Sequence, residues 1–280
     1  MRHRPQDTAE QLDLFVALLT DAPLAFRDDR EAMSAPMVSL AKNPRQSLKW
    51  KGPQGQTVLI ETKAGGGIAT IWDYDLVIWA ISRINDAIEK GMPHSPTVEF
   101  RPYDIMKALG RNAGGKGYGE LEAALDRLQN TNIRTNIRGD ERSITEGFSL
   151  ITQYRLIQDK AGRPMSGRMT LPDFFYEAIL ARREILSISP DYFKLTSGID
   201  RFLYRLARRH AGNGRDNPDG WIFSFADLRE RSGSPMKPAE WARELRKAIS
   251  RDKLPTYTLT EEIGAGGAPM LRLHFRRLAL

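Results

Sequence analysis

One plan of elements runs through this chain twice, in register, and nothing else in the sequence restricts its fold as strongly. Phe100, Asp104 and Gly110 are matched by Phe223, Asp227 and Gly233, each 123 residues later. Past a turn, Leu121 and Leu125 are matched by Trp241 and Leu245, now 120 residues later, so the first turn is three residues longer. Around each set the apolar spacing reads helix, short strand, short helix, turn, longer helix, paired strands. Few other positions agree, so what repeats is a layout rather than a text. Helix–turn–helix followed by a β-hairpin is the winged-helix layout. Two copies predict an α+β chain of two tandem winged-helix units.

In the first copy, Val77, Ile78, Ile81, Ile84 and Ile88 predict a helix over 74–90, capped by Asp73 and stopped by Gly91 and Pro93. A strand over 97–100 and helices over 103–109 and 118–130 follow. Residues 133–137 and 143–156 alternate like two strands around Gly139-Asp140 and predict the first hairpin. An edge strand is expected over 169–171, a helix over 172–183 and connecting chain over 185–194. The second copy predicts helices over 199–211, 226–231 and 238–251, a strand over 221–225, and strands over 257–260 and 270–275. Upstream, 57–62 and 68–72 predict a hairpin around Gly65-Gly66-Gly67. Residues 1–50, broken by Pro23, Pro36 and Pro44, are expected as an N-terminal arm with one helix at Leu12, Phe15, Leu18 and Leu19. The expected division is arm 1–50, first unit 51–190 and second unit 191–280.

Charge separates the units. Of the net +7, residues 191–280 hold 17 Lys and Arg against 11 Asp and Glu, and residues 1–190 hold 25 against 24. Positive charge concentrated in one unit points to an acidic partner, nucleic acid first. The absence of Cys excludes disulfide scaffolds, cysteine zinc sites, iron–sulfur clusters and thiol nucleophiles. The longest apolar run, residues 76–81, is far too short to span a bilayer, and the N-terminus is polar. A soluble, cytoplasmic protein without membrane contact is expected.

On the helix over 238–251, Trp241, Leu245, Ala248 and Ile249 form the apolar stripe. The opposite face carries Glu240, Arg243, Arg246, Lys247 and Ser250, with Lys237 just before the helix. In a major groove, Arg pairs with guanine and Lys meets phosphate; in solution the same face would pair with Glu240 and Glu244. On the helix over 199–211, Arg201, Arg205, Arg208 and Arg209 share the face opposite Ile199, Phe202, Leu203 and Leu206. Four like charges call for an anion, either phosphate or an acidic surface of the chain itself. The first copy offers only Arg127 on its long helix and Arg111 and Lys116 in the turn, so weak DNA contact or self-association is expected there.

Residues 110–117, GRNAGGKG, fall short of a phosphate loop because Gly117 stands where a hydroxyl must hold Mg²⁺. A flexible turn, its N–H groups free for a DNA phosphate, is the better reading. His3, His94, His210 and His274 are scattered singly, which disfavours a metal site. No His pair accompanies Tyr154, Tyr192 or Tyr204, and no nucleophile elbow is present. No catalytic residue, cofactor or metal is expected.

Four stretches, IWDYDLVIWAIS (71–82), GGKGYGELEAALDRLQNT (114–131), PDYFKL (190–195) and RFLYRLARRHAG (201–212), resemble the plasmid replication initiator protein A family, over about residues 33–275. The resemblance implies tandem winged-helix domains that bind repeated double-stranded sites at a plasmid origin and open replication non-enzymatically. It implies recruitment of host replication proteins, repression of the initiator's own promoter by a dimer, and a monomer–dimer equilibrium. It further implies a dimerising first unit and a DNA-binding second unit, in accord with the charge split. A winged-helix transcriptional repressor without an initiator role is the alternative; a nucleotide hydrolase and a structural adaptor stand further off.

Overall fold

The structure is a computed structural model, describing residues 24–42, 45–63, 65–138, 144–182, 184–215 and 217–276. The expected helix at Leu12–Leu19 and the turn at Gly139-Asp140 lie outside the described residues. In chain order the elements are β1 (Arg27–Asp29), β2 (Ser47–Lys51), β3 (Thr57–Thr62), α1 (Asp75–Glu89), β4 (Thr97–Phe100), α2 (Pro102–Ala108) and α3 (Gly115–Asn130). Next come β5 (Thr131–Thr135), β6 (Glu146–Ser149), β7 (Gln153–Gln158), β8 (Pro164–Thr170), α4 (Asp173–Leu180) and β9 (Ile185–Ser187). After a 3-10 turn at Pro190–Lys194 follow α5 (Gly198–His210), β10 (Trp221–Ser224), α6 (Phe225–Ser232), α7 (Pro238–Arg251), β11 (Tyr257–Ile263) and β12 (Pro269–Phe275).

The central helix is α1. Its run Leu76-Val77-Ile78-Trp79-Ala80-Ile81 is apolar on every side and wholly buried, as a helix packed all round must be. Each such aliphatic side chain contributes about 1.5–3 kcal/mol of transfer free energy. β1, β4 and α4 pack against α1, and one continuous apolar core runs from Phe26 to Leu273 through both copies.

The duplicated layout is visible in two three-stranded antiparallel sheets, ordered β4-β8-β7 and β10-β12-β11. In each, the strand before the helix pair lies beside the last strand. Phe100 stands opposite Gly167, and Phe223 opposite Leu271. A Cβ on Gly167 would come within 2.6 Å of the Phe100 ring, so that ring takes the space a side chain would fill. The matched glycines adopt the same left-handed backbone, φ 65° at Gly110 and 60° at Gly233, each just past the shorter helix.

Three strand expectations are corrected. The first hairpin is β7–β8, not 133–137 with 143–156. β5 and β6 do pair, but within a separate four-stranded sheet ordered β2-β3-β5-β6. Leu150 and Ile151 are both fully buried, so the chain there abandons alternation and crosses between sheets. Residues 169–171 are no edge; β8 is the middle strand of its sheet. The 57–62 strand pairs with β2 and β5 rather than with 68–72, where only Thr70 bridges Ser39.

The arm is also shorter than expected. Phe26, Met33, Met37 and Val38 are buried, β1 pairs with β9, and β2 edges a sheet, so the chain joins the core well before residue 50. Residues 185–187, expected as connecting chain, supply β9. Asp73 does not cap α1. Its carboxylate accepts from the Thr70 N–H (2.7 Å), the Thr70 hydroxyl (2.9 Å) and Arg127.

Candidate nucleic-acid interface

Helix α7 begins at Pro238, where a missing N–H costs nothing. Trp241 anchors it: the indole is buried and donates to the Phe225 carbonyl at 3.0 Å. Leu245 and Ala248 continue the buried stripe, and at the far end Arg251 pairs with Asp200 of α5 at 2.6 Å. The helix therefore has one rotational setting, in which Lys237, Glu240, Arg243, Arg246, Lys247 and Ser250 are exposed. The Arg243 side chain is 67% exposed and its nearest carboxylate, Glu244, is 3.9 Å away. Lys247 meets Glu244 at 2.8 Å. Arg246 forks onto Glu261 of β11 with contacts of 2.7–3.1 Å, and this hydrogen bonding holds the Glu261 carboxyl below its ordinary range. Glu261, which ties hairpin to helix, was missed in the sequence because nothing local shows that Glu261 faces α7.

The arginine face of α5 is a correction. Arg201 and Arg205 do not face outward; their side chains are 4% and 6% exposed. Arg201 donates to Asp75 at 2.6 Å and to the Leu195 and Phe193 carbonyls. Arg205 donates to Asp28 at 2.7 Å and to the Ala32 carbonyl at 3.0 Å, 4.4 Å over the Tyr74 ring. The Tyr74 hydroxyl donates to the same Asp28. Burial is the largest influence and works against the charge on Arg205, but Asp28, Tyr74 and Tyr192 together outweigh it and hold the guanidinium above its ordinary value. Arg209 pairs with Glu31 at 3.2 Å and Arg208 bonds the Ser187 carbonyl at 2.6 Å. For Arg201, Arg205 and Arg209 the anion is an internal carboxylate, whereas Arg208 meets the carbonyl and hydroxyl of Ser187. α5 is buried on both sides, and the carboxylates of β1 and α1 lie against its polar face.

The first copy repeats the lesson. Arg111, expected free in the turn, donates to Asp75 at 2.8 Å and to the Trp72 carbonyl. Arg127 folds back on Asp73 with contacts of 2.7 and 2.8 Å. Of these three, Lys116 stays at the surface, 93% exposed, with the exposed Glu120 carboxylate 3.9 Å away. Gly117 answers a packing need: a Cβ there would sit 1.9 Å from the Asn112 carbonyl oxygen. Among the described residues, no three His, Cys, Asp or Glu gather as a metal site would require. No helix of the described residues is long and apolar enough to cross a membrane.

Fold and surface together define a class: a mixed α+β protein of two like-built halves, the second presenting a cationic helix braced by a β-hairpin. Residues 27–259 match the replication initiator protein A family, and the chain belongs to that family. A protein of Wigglesworthia glossinidia brevipalpis named "Putative replication protein" is 31% identical over 241 residues, 84% of each chain. Among solved structures, domains 2 and 3 of RctB superpose with a TM-score of 0.63 at 13% identity, over 88% of this chain and 98% of that one. A second structure of RctB domains 2-3 gives 0.51 at 13% identity, over 89% and 97%. At that identity the likeness is one of fold.

Proposed function

We propose that this replication initiator is a sequence-specific double-stranded DNA-binding protein built from two winged-helix units, the second of which reads DNA. The observation that carries the reading is α7. A tryptophan-anchored helix presents Lys237, Arg243, Arg246, Lys247 and Ser250 together, beside a hairpin that Arg246 and Glu261 hold in place. A helix so exposed fits a major groove, with Arg243 free for a base edge and Lys237 and Lys247 for phosphates. Lys116 is the first unit's remaining candidate. The wider role follows the family: repeated origin sites, duplex opening without catalysis, recruitment of host replication proteins in the cytoplasm, autoregulation, and dimerisation through the first unit.

The test is footprinting of the purified chain over the DNA flanking its own gene. Protected sites of about 20 bp, set by two units lying about one helical turn apart along the duplex, are the expected result. Arg243→Ala with Lys247→Ala should abolish them at salt where the wild type protects fully. Absence of any protected site would overturn the reading. Protection at a promoter, in a chain unable to maintain an origin plasmid, would leave a repressor in its place.

A further inference from the structure

In the first unit the long helix and the hairpin carry opposite charge. Helix α3 turns Glu120, Glu122 and Asp126 to solvent, and its arginine is withdrawn onto Asp73. Lys116 lies 3.9 Å from Glu120, and the Tyr154 hydroxyl bonds Asp126. Laid in a groove, this face would set three carboxylates among phosphates. The hairpin is the reverse. The β7–β8 register places Arg155 directly opposite Arg168, both exposed, with Ile157 exposed on the same face. On the other side of Arg168, the exposed Glu99 of β4 is its cross-strand neighbour, so Arg155 is the end of the row that has no carboxylate opposite it. Lys160 is exposed at the tip, and Arg163 beside it pairs with Asp159 at 2.7 Å. Two like charges directly opposite on an open sheet face are disfavoured without an anion between them. A guanidinium fork matches phosphate oxygens in geometry as well as charge.

We infer that the first unit meets duplex DNA through the outer face of its hairpin, Arg155 and Arg168 each taking a backbone phosphate, with α3 held out of the groove. This rests on the DNA-binding reading above. It gives the two units different tasks: α7 reads bases, and the β7–β8 face adds affinity that is blind to sequence.

The test is fluorescence anisotropy of the full chain on a random-sequence 40-bp duplex across a series of NaCl concentrations. Each phosphate contact contributes about 0.9 to the slope of log K against log salt, so Arg155→Ala with Arg168→Ala should lower it by about 1.8. Arg155→Lys with Arg168→Lys should keep most of the slope. Both pairs are exposed, and unchanged thermal melts would confirm intact folding. Glu120→Gln with Glu122→Gln should move affinity by less than about two-fold at 0.15 M salt, where charges beyond about 8 Å are screened. An unchanged slope in the alanine pair, or a large gain in the glutamine pair, overturns the inference. Loss confined to Arg243→Ala with Lys247→Ala would do so while leaving the DNA reading intact. No binding by the wild type would defeat that reading itself.

Discussion

Replacing Arg205 by Ala separates an internal role for the α5 arginines from a DNA-facing one. Asp28 is fully buried, and Arg205 supplies its charge partner while also satisfying the Ala32 carbonyl. Removing one member of a buried pair typically costs about 3–5 kcal/mol, because the remaining charge stays desolvated. At about 2.1 cal/mol/K per residue of unfolding entropy, a 280-residue chain should lose about 5–9 °C in Tm. Arg205→Lys should fall between, since an ammonium cannot hold both the Asp28 fork and the carbonyl. Arg205→Met with Asp28→Asn should cost less than the two single changes summed. Scanning calorimetry gives the Tm, and anisotropy well below it gives DNA affinity, expected within about two-fold of wild type because Arg205 reaches no surface. An unchanged Tm with a large loss of DNA affinity would refute the internal assignment.

His210 packs against Trp221 and Phe223, and burial, reinforced by Arg209, Arg231 and Arg30, pushes its imidazole down to about 3. Below pH 6.5 the unfolded chain takes the proton first, so His210 contributes stability that is whole above 6.5 and drains at about 1.4 kcal/mol per pH unit towards 3. From pH 7 to 5 the wild type should therefore lose about 2 kcal/mol more than His210→Gln in urea titrations. Asp29, whose carboxyl burial lifts to about 6, titrates alike in both chains and cancels; equal losses would refute the assignment. Gly167→Ala drives a methyl into the Phe100 ring and should cost about 1–3 kcal/mol by chemical denaturation. A neutral result would show that Phe100 can move aside.

Local pattern carried far in this chain and then failed at identifiable places. The span 238–251 is helical as its period requires, with Trp241, Leu245 and Ala248 inward, because a 3.6-residue repeat records one face directly. Parts of β7 and β8 fall within expected strands, but their pairing with each other was not legible. Pro164–Thr170 contains few β-branched residues, and only the crossover at Leu150-Ile151 shows where one sheet ends. With that hairpin went Arg155 and Arg168, whose pairing depends on a register no single strand displays.

The sequence by itself determined the duplicated layout, the positions of the long helices, the outward set on α7 and membership in an initiator family, all properties of order and period along the chain. Tertiary structure decided which cations are available. A helical wheel puts Arg201 and Arg205 on one polar face and Arg127 on another, and turn chemistry leaves Arg111 outside; neither can say that Asp75, Asp28 and Asp73, up to 177 residues away, lie against them. The physical reason is that in a buried face charge must be matched across space. The matching partner comes from whichever element folding brings there, not from the neighbour in sequence.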